Sequence, residues 1–168
     1  IATYSGYVGS ETVSSKLDLM SADELRSYIT ANGSGFSPND DKGEKTDWME
    51  AIQRSKALSH NHNLSLSGGT EKSTYSASLN YFDKEGILNK SHLRRIIGRL
   101  SLEQYALNDK IKFGLTISNA NSNANYVPLQ NIVLLQAAKH MPISPVINPD
   151  GTYFENLGTT GYFNPVAM

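Results

Sequence analysis

Residues 59–86 read SHNHNLSLSGGTEKSTYSASLNYFDKEG, and the period of that stretch decides the fold class. Before Gly68 and Gly69, Leu64 and Leu66 alternate with Asn63, Ser65 and Ser67. After them, Tyr75, Ala77, Leu79 and Tyr81 alternate with Ser76, Ser78 and Asn80. A period of two sends successive side chains to opposite faces, so both arms are strands. The stretch predicts a hairpin with apolar side chains on one face and hydroxyls and amides on the other.

Working outward, the same period continues. In RRIIGRLSLEQY (94–105), Ile96, Gly98, Leu100 and Leu102 share one face, and Arg95, Ile97, Arg99, Ser101 and Glu103 the other. In KIKFGLTISN (110–119), Ile111, Phe113, Leu115 and Ile117 oppose Lys112, Gly114, Thr116 and Ser118. Strands are therefore predicted at about 60–67, 73–82, 94–105 and 110–119. ATYSGYVGSETV, rich in Tyr, Thr and Val, adds a first strand at about 2–13. Each is close to the ~9–11 residues that a tilted strand needs to cross a bilayer.

Between the strands lie helices and loops. Ser21 with Glu24 three residues later forms a capping box for a helix at about 21–31. NGSGFSPNDDKGEKT (32–46) reads as a loop, and Asp47 with Glu50 caps a second helix through DWMEAIQRS. A third helix is predicted from about Pro128 to His140; its apolar residues nearly circle the axis, which implies burial among other loops. NPDGTYF (148–154) carries an Asp-Gly turn signal. The connections at 68–72 and 106–110 are short, 83–93 is intermediate, and those at 14–59 and after 120 are long. Outer-membrane barrels alternate short turns and long loops in this way.

Composition removes several function classes. The 168 residues carry a formal charge of −1, with scattered basic side chains, which gives no footprint for nucleic acid. Cysteine is absent, so disulfides, thiolate metal sites and cysteine nucleophiles are excluded. No run approaches the ~18 apolar residues of a spanning helix; NIVLLQAA (131–138) is too short. Ile1 stands where an initiator methionine would, and the chain reads as an excerpt.

No constellation supports catalysis. His60 and His62 lie two apart on one face, without a third metal ligand. Asn39, Asp40 and Asp41 with Gly43 and Glu44 faintly suggest a calcium loop, but the spacing does not fit one. Ser, His and Asp occur without a nucleophile signature, and SGGT lacks the lysine of a phosphate loop. Neither an enzyme, a metal nor a cofactor is expected.

The polar face is instead rich in Ser, Asn, Thr and Gly, with a few charges. That composition suits a hydrated lumen better than an open solvent surface. Candidate lumen-lining residues are Ser76, Ser78, Asn80, Arg95, Arg99, Glu103, Lys112 and Thr116, with Arg95, Arg99, Glu103 and Lys112 able to form a charge network. Tyr75 and Tyr81 would belong to the two aromatic girdles of the opposite face. In the last loop Tyr153, Phe154, Tyr162 and Phe163 are candidates for stacking on substrate or partner, or for packing the loop. A soluble β-rich, lectin-like carbohydrate-binding module, its helices covering one face of the sheet, is the rival reading.

SHNHNLSLSGGTEKSTYSASLNYFDKEGILNKS, followed by RRIIGRLSLEQ and LNDKIKFGLTIS, resembles the early barrel of the SusC/RagA family of TonB-dependent outer-membrane transporters. YSGYVGSETVSSKLDLMSADELRSY upstream, and PVINPDGTYF and NPVA downstream, resemble it in the same order. The resemblance implies an all-β chain with short helices in its loops, an antiparallel meander within a barrel of about 22 strands closed by an N-terminal plug. It implies import of glycans or peptides across the outer membrane of Bacteroidetes-type bacteria, with outer-membrane lipid outside the barrel. A SusD-like surface lipoprotein would cap the mouth, and TonB would act through a region outside this chain. On that template residue 1 falls just after the plug, and 14–59 and 120–168 are extracellular loops. Four or five strands alone cannot close, so an isolated piece is expected to dimerise, swap strands or fold its helices onto the apolar face.

Overall fold

The computed structural model describes residues 1–33, 41–155 and 163–168, which divide into two compact units. One comprises residues 1–12 and 56–126, the other 13–55 and 127–168.

The first unit is a five-stranded antiparallel meander of β1 (Ala2–Glu11), β2 (Ala57–Gly69), β3 (Ser73–Glu85), β4 (His92–Ala106) and β5 (Ile111–Asn125), each beside its sequence neighbour. Pairing is one to one along every ladder, so faces never swap. One row runs Ala2, Leu66, Ala77, Leu100, Ile117; the adjacent row on the other face runs Thr3, Ser65, Ser78, Arg99, Ser118. The expected strands are all present, and β2 to β5 run longer than their hydropathy suggested. β5 continues six residues past Asn119, and the β3–β4 connection shrinks to 86–91.

Two tight turns lie at one end of the meander. In 70–72 the Thr70 hydroxyl accepts from the backbone amides of Lys72 (3.3 Å) and Ser73 (3.2 Å). In 107–110, Leu107, Asn108 and Asp109 all take positive φ (52°, 54° and 64°), a conformation that Asn and Asp tolerate and Leu resists. The longer connections leave from the opposite end.

The second unit supplies most of the buried apolar residues. Helix α1 (Ala22–Asn32) starts at the expected capping box: the Ser21 amide donates to Glu24 Oε2 (2.8 Å) and the Glu24 amide to Ser21 Oγ (3.3 Å). Gly33 ends it at φ 58°. Helix α2 (Trp48–Ala51) is one turn only, shorter than DWMEAIQRS suggested, although Asp47 does cap Glu50 (2.9 Å). Helix α3 (Gln130–Lys139) begins after Leu129 in the left-handed region, two residues later than Pro128 predicts. Its expected all-round burial is not found. Val133 and Ala137 are buried, while Ile132, Leu134 and Leu135 are exposed.

Ala22, Trp48, Ile52, Val127, Val133, Ala137 and Ile143 are the buried apolar side chains of this unit among the described residues. Trp48 stacks on His140 (ring centroids 4.1 Å) and donates from Nε1 to the Met141 carbonyl (2.9 Å). The segment around Thr46 ties to Pro142 and Ser144: the Thr46 amide donates to Pro142 O and its hydroxyl to Ser144 O, both 2.7 Å. Asn164, fully buried, donates to the carbonyls of Val146 (2.8 Å) and Phe154 (2.9 Å). The Asp-Gly signal forms its turn, with Ile147 bridging Tyr153 and Gly151 at φ 85°.

Candidate functional site

The sheet is chemically two-sided. On one face stand Leu64, Leu66, Leu79, Ile96, Leu100, Leu102 and, along β5, Ile111, Phe113, Leu115 and Ile117. From Leu100 to Phe113 these are 37–60% exposed. A soluble sheet buries such a face; contiguous apolar patches of this size mark contact with a membrane or partner. Tyr75 and Tyr81 stand six residues apart on this face, three rows from one another.

The register places all eight candidate lumen residues on the other face. Ser76 lies opposite Ser101, and Ser101 opposite Thr116; Ser78 lies opposite Arg99 and Asn80 opposite Ile97. Ser101 and Thr116 share a hydroxyl hydrogen bond (3.2 Å), and Asn80 donates to Asn61 Oδ1 (2.8 Å). Lys112 pairs with Glu103 (3.1 Å) and lies over the Tyr105 ring (5.5 Å). Arg95 lies over Phe82 (5.6 Å), and Arg99 makes no ion pair among the described residues. The four charges therefore do not form the single network that their spacing suggested. Alternate residues on one strand stand ~7 Å apart, so Lys112 satisfies Glu103 while Arg95 and Arg99 remain cations presented separately. Chemically this face offers hydroxyls, amides and two guanidinium groups that make no ion pair among the described residues.

No protein-family model matches the chain. It aligns at 29% identity with the TonB-dependent receptor SusC of Bacteroides thetaiotaomicron, over 97% of this chain and 17% of that protein. Two TonB-dependent receptors of Formosa agariphila align at 32% over 77% of the chain and at 31% over 93%, covering 13% and 16% of their lengths. The chain belongs to the SusC-like TonB-dependent receptors. It spans less than a fifth of the length of these relatives. The alternation that decided the fold is thus part of a region that SusC-like receptors share, and the sheet is a stretch of antiparallel meander within such a protein.

In this SusC-like chain the loop aromatics divide. Phe154 meets His140 edge-on (6.4 Å) and its carbonyl is held by Asn164, so it packs the loop. Tyr153 and Phe163 are exposed, and Tyr162 lies outside the described residues. Part of the faint calcium pattern, Asn39 and Asp40 within 34–40, also lies outside them. Asp41 is already engaged. Arg26 donates to both its oxygens (2.7 and 2.8 Å) and the Gly43 amide to one (2.8 Å), which holds its pKa down at about 2. A guanidinium therefore sits where a cation would have to. His60 and His62 make ring contacts instead of a metal site: His60 stacks on Tyr81 (5.6 Å), and His62 Nδ1 meets the Tyr4 hydroxyl (2.6 Å). No metal-holding cluster occurs among the described residues.

Sequence reasoning missed the end of β5. SNANSNAN (118–125) alternates strictly, but between Asn and Ser or Ala, and a search for apolar residues sees nothing there. Periodicity of residue type, rather than of hydropathy, was the available signal.

Proposed function

We propose that this chain forms early strands of the barrel of an outer-membrane importer of oligomeric nutrients, glycans or peptides. In this reading the apolar face meets lipid and the polar face lines a hydrated, plugged lumen. The uncovered apolar face opposite a Ser/Asn/Arg face is the observation that carries it. On β4 the apolar rows run from Ile96 to Ala106, interrupted by Gln104. That is about 34 Å of strand, or about 26 Å along the membrane normal at a tilt of roughly 40°, against a barrel band of about 25 Å.

Import by such a protein needs no covalent chemistry from this chain. Ser76, Ser78, Asn80 and Thr116 would exchange hydrogen bonds with passing hydroxyls or amides. Arg95 and Arg99 would attract acidic groups, and the Glu103–Lys112 pair would stiffen the wall near the tight turns. The long connections would face the exterior, where the exposed Tyr153 and Phe163 would meet substrate or a SusD-like lipoprotein; TonB would act through another region. A soluble lectin-like module does not account for an apolar face left open to this extent.

Single cysteines in the full-length parent, reconstituted in vesicles, test the orientation. Cysteines at Leu79, Leu100 and Phe113 should react with a bilayer-soluble maleimide, and those at Ser78, Arg99 and Lys112 with a water-soluble one. Protection of the apolar set from both reagents would overturn the reading.

A further inference from the structure

On the apolar face, the end of β5 farthest from the tight turns changes character. Ile111, Phe113, Leu115 and Ile117 are followed in the same line by Asn119, Asn121, Asn123 and Asn125, all exposed. The register sets them opposite Gly98, Ile96, Arg94 and His92 of β4. None of the four amides is hydrogen-bonded among the described residues. A Cβ built at Gly98 meets nothing within 4 Å, so a notch opens beside Asn119.

The carboxylates sharing this end of the face are already engaged. Asp83 accepts from Arg94 Nε (2.8 Å) and the Tyr81 hydroxyl (3.1 Å) and lies 3.0 Å from His92 Nε2; Glu85 accepts from the Leu58 amide (3.0 Å). What remains is a neutral ladder of donors and acceptors about 20 Å long beside a guanidinium whose side chain is 55% exposed.

We propose that this ladder binds the saccharide headgroups of an outer-leaflet glycolipid. The proposal rests on the import reading, which sets this face outward and this end toward the exterior. Continuity with the lipid-facing rows selects the occupant: whatever fills the space above the hydrocarbon must carry acyl chains below. Its polar part must match uncharged amides that both donate and accept, as sugar hydroxyls do. Arg94 adds a site for a phosphate on that sugar. The phosphatidylethanolamine headgroup lacks the run of hydroxyls, and bare water has no need of four identical amides in register.

The test uses the full-length parent, extracted from its own outer membrane in mild detergent, with retained lipid counted by native mass spectrometry. Combining Asn119→Ala, Asn121→Ala, Asn123→Ala and Asn125→Ala should lower retained glycolipid at least fivefold and leave phospholipid unchanged. Asn123→Ala alone should lower it about twofold, which covers the case in which the fourfold variant fails to assemble; heat-modifiable gel mobility reports assembly. Excess free headgroup saccharide should displace the glycolipid from the parent, and phosphatidylethanolamine should not. Unchanged glycolipid in an assembled variant, or displacement by phosphatidylethanolamine, would overturn the proposal while leaving the import reading intact. Failure of the import reading shows separately, as water-phase labelling at Leu100.

Discussion

The sheet and the loop unit solve opposite problems with the same chain. β1 to β5 satisfy their backbone groups through continuous ladders and leave Leu79, Leu100 and Phe113 uncovered. The loop unit has only short helices, yet encloses Trp48, Ile52, Val133 and Ile143 and closes them with side-chain to backbone hydrogen bonds. In the proposed reading the sheet meets hydrocarbon and needs hydrogen-bond closure without a core of its own, because lipid would supply the apolar contact. A loop in water has to build its core. The comparison explains why the charged clasps of the loop unit, Arg26 with Asp41 and Lys45 with Asp23, sit on residues that pin segments together. On the sheet the ion pairs Lys84 with Glu11, Arg94 with Asp83 and Lys112 with Glu103 link strands that the backbone ladders already hold.

Three experiments on the full-length parent would break or sharpen that contrast. Trp48→Ala removes the largest side chain of the loop core and should cost the loop unit about 3–5 kcal/mol. Hydrogen exchange should accelerate across 42–48 and 141–146 while β2 to β4 keep their protection. Strand amides that opened to the same extent would mean that the two units share one stability.

Leu100→Arg should cost about 2–4 kcal/mol in a bilayer, and Ser76→Arg, one row away on the opposite face and opposite Ser101, close to nothing. Urea unfolding in vesicles measures both, and equal costs would erase the distinction between the faces.

The smallest effect is with pH. Burial holds the His140 imidazole below its usual 6.5. The opened loop therefore binds the proton more readily, and the loop unit is most stable above pH 6.5 and weakens as pH falls below it. Asp41, held at about 2 against an ordinary 3.8, stabilises the loop above pH 3.8, and that contribution disappears only as pH falls toward 2. Exchange rates of 141–144 at pH 7.5, 6.0 and 5.0, referred to β3 amides, should show the first step. His140→Phe should abolish it.

The strands were legible where apolar and polar residues alternate, because a period of two has a single structural meaning. They became illegible where both faces are polar, at Asp83–Glu85 and from Asn119 onward, since hydropathy carries no period there. Both helix caps at Ser21 and Asp47 were readable because capping is local. The length of α2 and the partial burial of α3 were not, because contacts from distant segments set them: Trp48 is held by Met141, 93 positions away. For the same reason the candidate wall residues could be assigned to one face from sequence, whereas the pairing of Lys112 with Glu103, and not with an arginine partner network, needed the register.

The 93-position separation between Trp48 and Met141 also bears on assembly. In an unfolded chain, bringing those residues together means closing a very long ring, at an entropic cost repaid only by one small cluster. Once the meander exists, the ends of β1 and β5 are fixed about 19 Å apart by four strand spacings, and most of that cost has already been met. The tryptophan niche should therefore be among the last parts to form, and its appearance would time the completion of the strand ladders.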